Sequence, residues 1–356
     1  MPIDIFDSYH LTAIAEEVVP TTTFFKDRYF PTGANDIFAS EKVLTEYRKG
    51  DRKMAAIVSP RAGDIPIERR GYAMHDYTPV YIAPSRLLTV DELKRRGFGE
   101  ALYANTEPAQ RAAKLILQDM QDMEMRTARR EEYMCAMLMQ NNALDLTPMI
   151  DEDTEDEDVR IQYYDGASDH EFTVATKWNG TGGNMFGDIR AMCRMLSSRG
   201  LRAADLVLGI DVADAILEDA ILRERIRTDS GIATGGIDQA QTAYDGVASM
   251  GAINFNGYRL NLFSVDETYV DDNGAVQSYF PATAAMVTAP GCGHMMYGAV
   301  TQIDYGSADF TTHTGVRIPK LSVLQEKDIR KLRLASRPLP APVNYCPFII
   351  AKNAVG

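Results

Sequence analysis

Two consecutive elements of this chain are each too long to bury themselves in one compact body. Residues Glu41 to Leu88 alternate apolar and polar side chains around a charged turn at Ser59-Pro60-Arg61-Ala62-Gly63-Asp64. Past Pro108, no Pro or Gly interrupts the stretch that ends at Asn142. A long two-stranded hairpin is only marginally stable alone, and a helix over 106–142, rising 1.5 Å per residue, would reach about 55 Å. The simplest solution is that neighbouring copies of the same chain cover these surfaces. The pattern points to an assembly subunit ahead of an enzyme.

The hairpin is expected to use Glu41–Tyr47 and Met54–Ser59 on one side, and Ile65–Arg70 and Tyr72–Ile82 on the other. Its polar side carries Arg52, Lys53, Arg61, Asp64, Glu68, Arg69, Arg70 and Asp76. Mixed charge keeps exposed strands from pairing indiscriminately. On a loop this long, the charges are better read as ion pairs between subunits than as a solvated face. Residues 1–40 read as an irregular arm, whose Phe24, Phe25, Tyr29 and Phe30 need a surface to dock on, either a neighbour or the chain's own body.

Thr106 is the expected N-cap of the long helix, with Pro108 in its first turn, and Asn141-Asn142 is the expected end. Ala112, Ile116, Met120, Met123 and Thr127, continued by Met134 and Leu138, form one stripe at helical spacing. A Met-rich stripe of this kind packs a core more often than it binds a ligand. Asp122 precedes Arg126 by four, the favourable order for a helical ion pair.

Residues 151–158 place seven carboxylates in eight positions. They lack the glycine and terminal glutamate of a calcium loop, and read as a solvated loop before a returning strand at Val159–Tyr164. From Asn179 the pattern becomes α/β. Asp188 is expected to cap a helix reaching Ser198, and Asp205–Ile210 is a buried strand. Asp211 is expected to cap a second helix with Ala213, Ile216, Leu217 and Ala220 on one face. Gly231–Ala248 reads as a weakly structured loop. Tyr258–Val265, Gln277–Phe280 and Ala284–Thr288 read as strands, with a hairpin turn at Asp271-Asp272-Asn273-Gly274. Leu332 and Leu334 alternate with Lys331 and Arg333, ahead of Pro338, Pro340 and Pro342 and an apolar finish at Phe348-Ile349-Ile350.

Composition excludes several classes. No apolar run approaches the ~18 residues of a membrane span, and the first residues carry no signal-peptide pattern, so neither export nor membrane insertion is expected. A net charge of −13 argues against coating nucleic acid through its phosphates, although not against enclosing it. Cys135, Cys193, Cys292 and Cys346 are widely spaced and read as buried free thiols. The histidines His10, His75, His170, His294 and His313 show no metal-ligand spacing, and Gly180-Thr181-Gly182-Gly183 lacks the ending of a phosphate loop. No metal, cofactor or catalytic residue is expected.

Several segments resemble one known family. Ile57-Val58-Ser59-Pro60, Gly63 and Tyr77-Thr78-Pro79-Val80-Tyr81-Ile82-Ala83-Pro84 are similar to the hairpin pattern of the lambda-like major capsid proteins of tailed bacteriophages, the capsid protein E family. Val80 and Ala83 stand where some relatives have Gly and Lys. Arg95-Arg96-Gly97-Phe98-Gly99-Glu100, Arg129-Arg130-Glu131-Glu132-Tyr133-Met134, Trp178, Asp188-Ile189-Arg190, Gly200–Gly209 and Ser336-Arg337-Pro338-Leu339-Pro340-Ala341-Pro342 continue the likeness in order along the chain.

The resemblance implies an α+β chain with the HK97-type fold. Residues 1–40 would be the arm, 41–88 the extended loop, 89–178 a peripheral domain on the spine helix, 179–310 an axial domain, and 311–356 a return to the peripheral domain. It implies pentamers and hexamers in an icosahedral head that encloses double-stranded DNA, built in the cytoplasm of a host bacterium. A scaffolding protein expected to be a separate chain and a portal protein would be its partners. Lambda-like shells often carry a small decoration protein at local threefold sites as well. Two alternatives stand beside this reading, an encapsulin-like compartment and a cytosolic α+β enzyme.

Under the resemblance, Arg61, Asp64, Glu68, Arg69 and Arg70 make contacts between subunits. Ile116, Met120, Met123, Met134 and Leu138 pack the spine, and the loop with Gly231, Gly235 and Gly236 faces the capsomer axis. Reversing Arg69 and Arg70 to Glu is expected to block assembly without unfolding the monomer, and a normal yield of shells from that double variant would overturn the assignment.

Overall fold

The computed structural model describes residues 23–41, 43–47, 73–89, 108–151, 154–155, 159–163, 169–219, 242–244, 246–255, 257–271, 274–304, 307–324 and 329–356. The first helix, α1 (Phe24–Tyr29), belongs to the segment expected to be an irregular arm. Strands β1 (Val43–Tyr47) and β2 (Ala73–Tyr77) pair antiparallel from Val43↔Tyr77 to Tyr47↔Ala73 and form the described base of the hairpin. The pairing stops at Tyr77, short of the expected Ile82. Pro79 comes two residues later, and a proline has no N–H to continue a ladder. Strand β3 (Ser85–Leu88) then leaves the hairpin for another sheet.

The long helix α2 spans Pro108–Asn141. Asn142 closes it in a left-handed conformation (φ 54°) with its N–H on the Leu138 carbonyl, as short amide side chains permit. Strand β4 (Ala143–Leu146) follows, then β5 (Met149–Asp151) paired with β6 (Thr154–Glu155), and β7 (Val159–Gln162) returns against β4. Helix α3 spans Met185–Ser198. Its cap is Asn184, whose side chain accepts the Gly187 N–H, and not Asp188. Asp188 lies inside the first turn, where it accepts the Trp178 indole N–H at 2.9 Å.

Strand β8 (Asp205–Gly209) passes without a loop into α4 (Ile210–Glu218), so Gly209 caps that helix in place of Asp211. A Cβ at Gly209 would fall 2.2 Å from the Pro281 carbonyl, so only glycine fits there. Leu217, expected on the buried face of α4, is 46% exposed, because the sheet touches only the stripe of Val212, Ala213 and Ile216.

Strands β9 (Thr242–Tyr244), β10 (Val247–Phe255) and β11 (Tyr258–Val265) come next. Val247 and Ala248, expected in a loop, instead open β10 and pair with Val265 and Ser264. A ribbon follows from β12 (Thr268–Val270) and β13 (Val276–Ser278), turned by Gly274 at φ 82°. Strand β14 (Ala285–Thr288) precedes β15 (Gly293–Tyr297), and β16 (Val300–Ile303) and β17 (Phe310–His313) make a second ribbon.

Strand β19 (Ile329–Ala335) pairs with both β18 (Ile318–Leu324) and β3, and β20 (Pro338–Pro342) pairs with β15. The three prolines of β20 fall at alternate positions. Leu339 and Ala341 keep their N–H groups for one edge, which is how a proline-rich strand remains in a sheet. The final strand, β21 (Ile349–Ala351), pairs with the main sheet, while Phe348 and Ile350 share a core with Met134 and Leu138 of α2. It joins β14, because an entirely apolar segment needs both faces covered.

The main sheet has the order β21-β14-β8-β11-β10-β9, with β8 and β11 parallel. Its alternating side chains serve two cores. Leu206, Leu208, Leu260, Leu262 and Val287 pack with α3 and α4. Val207, Phe263, Val265 and Met286 face the other way, onto α1 and the C-terminal half of α2. The α2 stripe is likewise divided. Ala112, Ile116, Met120 and Met123 pack on Leu88, Leu321, Leu332 and Leu334, whereas Met134 and Leu138 enter the core with Phe24, Phe25, Tyr29 and Phe30.

Those four aromatics of the arm are fully buried in the chain's own body. Phe24 meets Phe25, Tyr29 and Phe263 edge-on or tilted at 5.1, 5.5 and 5.3 Å, favourable ring geometries. A Cβ at Gly293 would lie 2.3 Å from the Phe30 ring and 2.8 Å from the Ala341 carbonyl. Gly293→Ala is therefore expected to destabilise the protein by about 1–3 kcal/mol through overpacking. An unchanged urea midpoint would show that the arm does not seat there as described.

Candidate functional site

No group of three or more His, Cys, Asp or Glu arranged for a metal occurs among the described residues. The four cysteines are buried and free, and burial pushes the thiols of Cys193 and Cys292 up to about 12. Such thiols are inert. The chemistry concentrated in this chain is a buried ionic clamp that fixes the arm to the spine helix and to the main sheet.

The clamp begins on α2. Glu131 and Glu132 are both fully buried. Glu131 receives Lys26 at 2.7 Å and a two-pronged Arg317 at 2.6 and 2.9 Å. Arg317 reaches on to Glu124 at 2.6 Å. Burial opposes the charge on Glu131, but Arg317 and Lys26 outweigh it and hold the carboxyl below its usual range. Burial likewise opposes the charges of Lys26 and Arg317, and Glu131 reverses the effect, so both are held above their usual values. Bidentate Arg–carboxylate geometry of this kind fixes orientation as well as charge.

Glu132 does different work. Its two oxygens accept the Phe25 and Lys26 N–H groups at 2.6 and 2.8 Å, two donors that a helix start otherwise leaves unpaired. Burial pushes this carboxyl up to about 8; the two N–H groups offset that only in part, and Glu267 and Asp27 add to the rise. Adjacent carboxylates on one helix are thus driven apart, one charged and one neutral, by what surrounds them.

The far side of the arm is held by Asp205, fully buried at the start of β8. It accepts Arg28 at 2.6 and 2.8 Å, the Tyr29 hydroxyl at 3.3 Å and the Asn261 amide at 3.0 Å. Arg28 also lies 4.5 Å over the Phe263 ring. Its hydrogen bond to Asp205 holds the guanidinium above its ordinary value. These are strong interactions only while complete, since removing one partner of a buried pair costs about 3–5 kcal/mol.

None of the clamp residues was singled out for this role from the sequence. One signal for it was present: Glu131 stands in the apolar stripe, four residues after Thr127 and three before Met134. A charge in a buried stripe needs a buried partner. Of the residues expected to make intersubunit contacts, Arg61, Asp64, Glu68, Arg69 and Arg70 lie outside the described residues, as do Gly231, Gly235 and Gly236. Ile116, Met120, Met123, Met134 and Leu138 are all buried, in the two cores given above.

With this arrangement in hand, comparison with known proteins is decisive. The profile of the family described as phage major capsid protein E matches residues 7–353. The chain belongs to that family. A stretch of 109 residues is 31% identical to the major capsid protein of Escherichia phage lambda, covering 31% of this chain but only 30% of that protein. The whole fold is similar to that of a protein assigned as a prophage capsid protein from E. coli CFT073, with a TM-score of 0.69, 15% identity and 99% of each chain covered. A phage-related protein from Bordetella bronchiseptica RB50 has a TM-score of 0.48 at 12% identity, with 98% of each chain covered, and carries no weight here. The α+β chain has the HK97-type fold. As a member of this capsid family it is a structural protein of the virion shell.

The clamp makes stability depend on pH at both ends. Glu131 contributes stability above the usual carboxylate range and loses it in acid. Glu132, raised from 4.5 to about 8, contributes fully below pH 4.5 and loses that contribution as the pH climbs toward 8. The slope is at most about 1.4 kcal/mol per pH unit. Glu132→Gln is expected to flatten this decline when urea unfolding is followed between about pH 5 and pH 8.5. A variant keeping the full wild-type slope would exclude Glu132 as its source.

Proposed function

We propose that copies of this chain assemble as pentamers and hexamers into a closed icosahedral shell that encloses double-stranded DNA. Assembly would take place in the cytoplasm of a host bacterium, with a separate scaffolding protein and a portal protein as partners, and with room for a decoration protein at local threefold positions. The observation that carries this reading is the family match over nearly the whole length, on a chain whose arm, spine and main sheet are locked into one rigid unit. A shell subunit must transmit position from one neighbour to the next, and a spine helix of 34 residues clamped at its middle suits that task.

Residues 41–88 would lie over the adjacent subunit, with Arg61, Asp64, Glu68, Arg69 and Arg70 in its charge pairs. The region 179–310 would point its loop with Gly231, Gly235 and Gly236 at the capsomer axis. The 1–40 arm, the 89–178 peripheral region and the 311–356 return would form the remaining divisions. The net charge of −13 supports an enclosing role, since an acidic wall lets a packaged polyanion slide where a basic one would bind it. Expansion during packaging would proceed as rigid-body rotation of such units about hinges at their contacts.

Expression of the chain with and without its scaffolding partner, followed by negative-stain electron microscopy, is expected to show closed shells or rings of five and six subunits. A persistent monomer under both conditions would overturn the proposal.

A further inference from the structure

Between α2 and the β12–β13 ribbon lies a groove of about 880 Å³. One wall carries Arg126, Arg129, Arg130 and Tyr133 from successive turns of the helix, and the other carries Tyr269, Val270, Asp271 and Val276. The Tyr133 and Tyr269 rings stand 5.1 Å apart, and Arg130 lies 5.8 Å from the Tyr133 ring centroid. Val270 and Val276 form an apolar lip, 65% and 67% exposed. Among the described lining residues, Asp271 is the one acid beside three guanidiniums, of which Arg126 is paired with Asp122 on its own helix at 3.0 Å. The groove is thus a basic, aromatic recess on a strongly acidic chain.

The same chain carries a shape that fits. Phe310, at the end of the isolated β16–β17 ribbon, is 78% exposed, the most exposed of the large apolar side chains among the described residues. Asp309 precedes it, is exposed, and has no ion pair among the described residues. A surface that covered this ring would gain the free energy of taking its apolar area out of water. The ring's exposure shows that the chain's own groove does not cover it.

We propose that the Arg126–Arg129–Arg130 groove receives the Asp309-Phe310 tip of a second copy of this chain. The inference rests on the shell-forming reading above. Phe310 would lie against Tyr133 and Tyr269 between the valines, and Asp309 would face the arginines. Each copy then offers one knob and one recess on different parts of its surface. Such a head-to-tail contact closes rings or propagates through a lattice, depending on the rotation between copies. The opposite charges set the register and steer the encounter. A nucleic-acid strand would also suit basic and aromatic walls. The exposed valine lip, Asp271 in the wall and the overall charge of −13 favour the protein tip.

The test uses the full chain with Ala308→Cys and Val276→Cys together, since all four native cysteines are buried. Mild oxidation of assembled particles is expected to give a ladder of disulfide-linked multimers on a non-reducing gel, which neither single variant gives. Phe310→Asp is expected to lower particle yield at least tenfold with unchanged monomer melting, and Phe310→Tyr to restore it. Normal particles from the double-cysteine variant without interchain links would overturn this inference and leave the shell reading intact. Failure of the wild-type chain to form particles would overturn both. Binding of a labelled single-stranded oligonucleotide to the wild-type monomer, lost in R129E/R130E, would assign the groove to nucleic acid and also overturn the proposal.

Discussion

The buried triad of Lys26, Glu131 and Arg317 is the constraint on which the rest of this structure depends. Its members come from the arm, from the C-terminal half of the spine helix and from the residue just before β18. A carboxylate removed from water and left unpaired would cost several kcal/mol. No one of the three elements can therefore take its place without the other two. Apolar packing would tolerate small slips of the arm along the helix. A bidentate guanidinium and a lysine converging on one carboxylate do not, and they turn a greasy contact into a fixed position.

Seen from the main sheet, the same device appears on the opposite side. Asp205 sits at the first position of β8, inside a sheet whose other described buried positions are mostly apolar, and it is neutralised by Arg28 of the arm. A six-residue helix is thus the middle layer of the molecule, with spine on one side and sheet on the other. That explains why the sheet has two full apolar faces. One is covered by α3 and α4, and the other by a segment from the opposite end of the chain.

The elements with strong local signals were legible in the sequence. The spine helix, the buried stripe, the Tyr258–Val265 and Ala285–Thr288 strands and the Gly274 turn all follow from periodicity and turn chemistry. The misplaced caps have a common cause. Asp188 and Asp211 stand near helix starts, but Asn184 and Gly209 occupy the positions where the backbone turns. Side-chain type identifies candidates, while backbone geometry chooses among them. The Pro79 break and the path of Ile349–Ala351 are set by tertiary pairing, which no local pattern records. The clamp was hardest to read, because its ion pairs join residues 105 to 193 positions apart. Glu131 interrupts the stripe, but nothing nearby indicates that its cations are Lys26 and Arg317.

That separation has a consequence for the newborn chain. Phe24, Phe25, Tyr29 and Phe30 are made before the residues of their seat, which is built from Glu131, Asp205, Phe263, Phe280 and Arg317. Until most of the polypeptide has emerged, this aromatic segment has nowhere of its own to go. Its contacts span most of the sequence, so folding of this layer is slow and late by topology alone. Synthesis past Arg317 thereby becomes a checkpoint, because a product truncated before it carries four aromatic rings without their full seat.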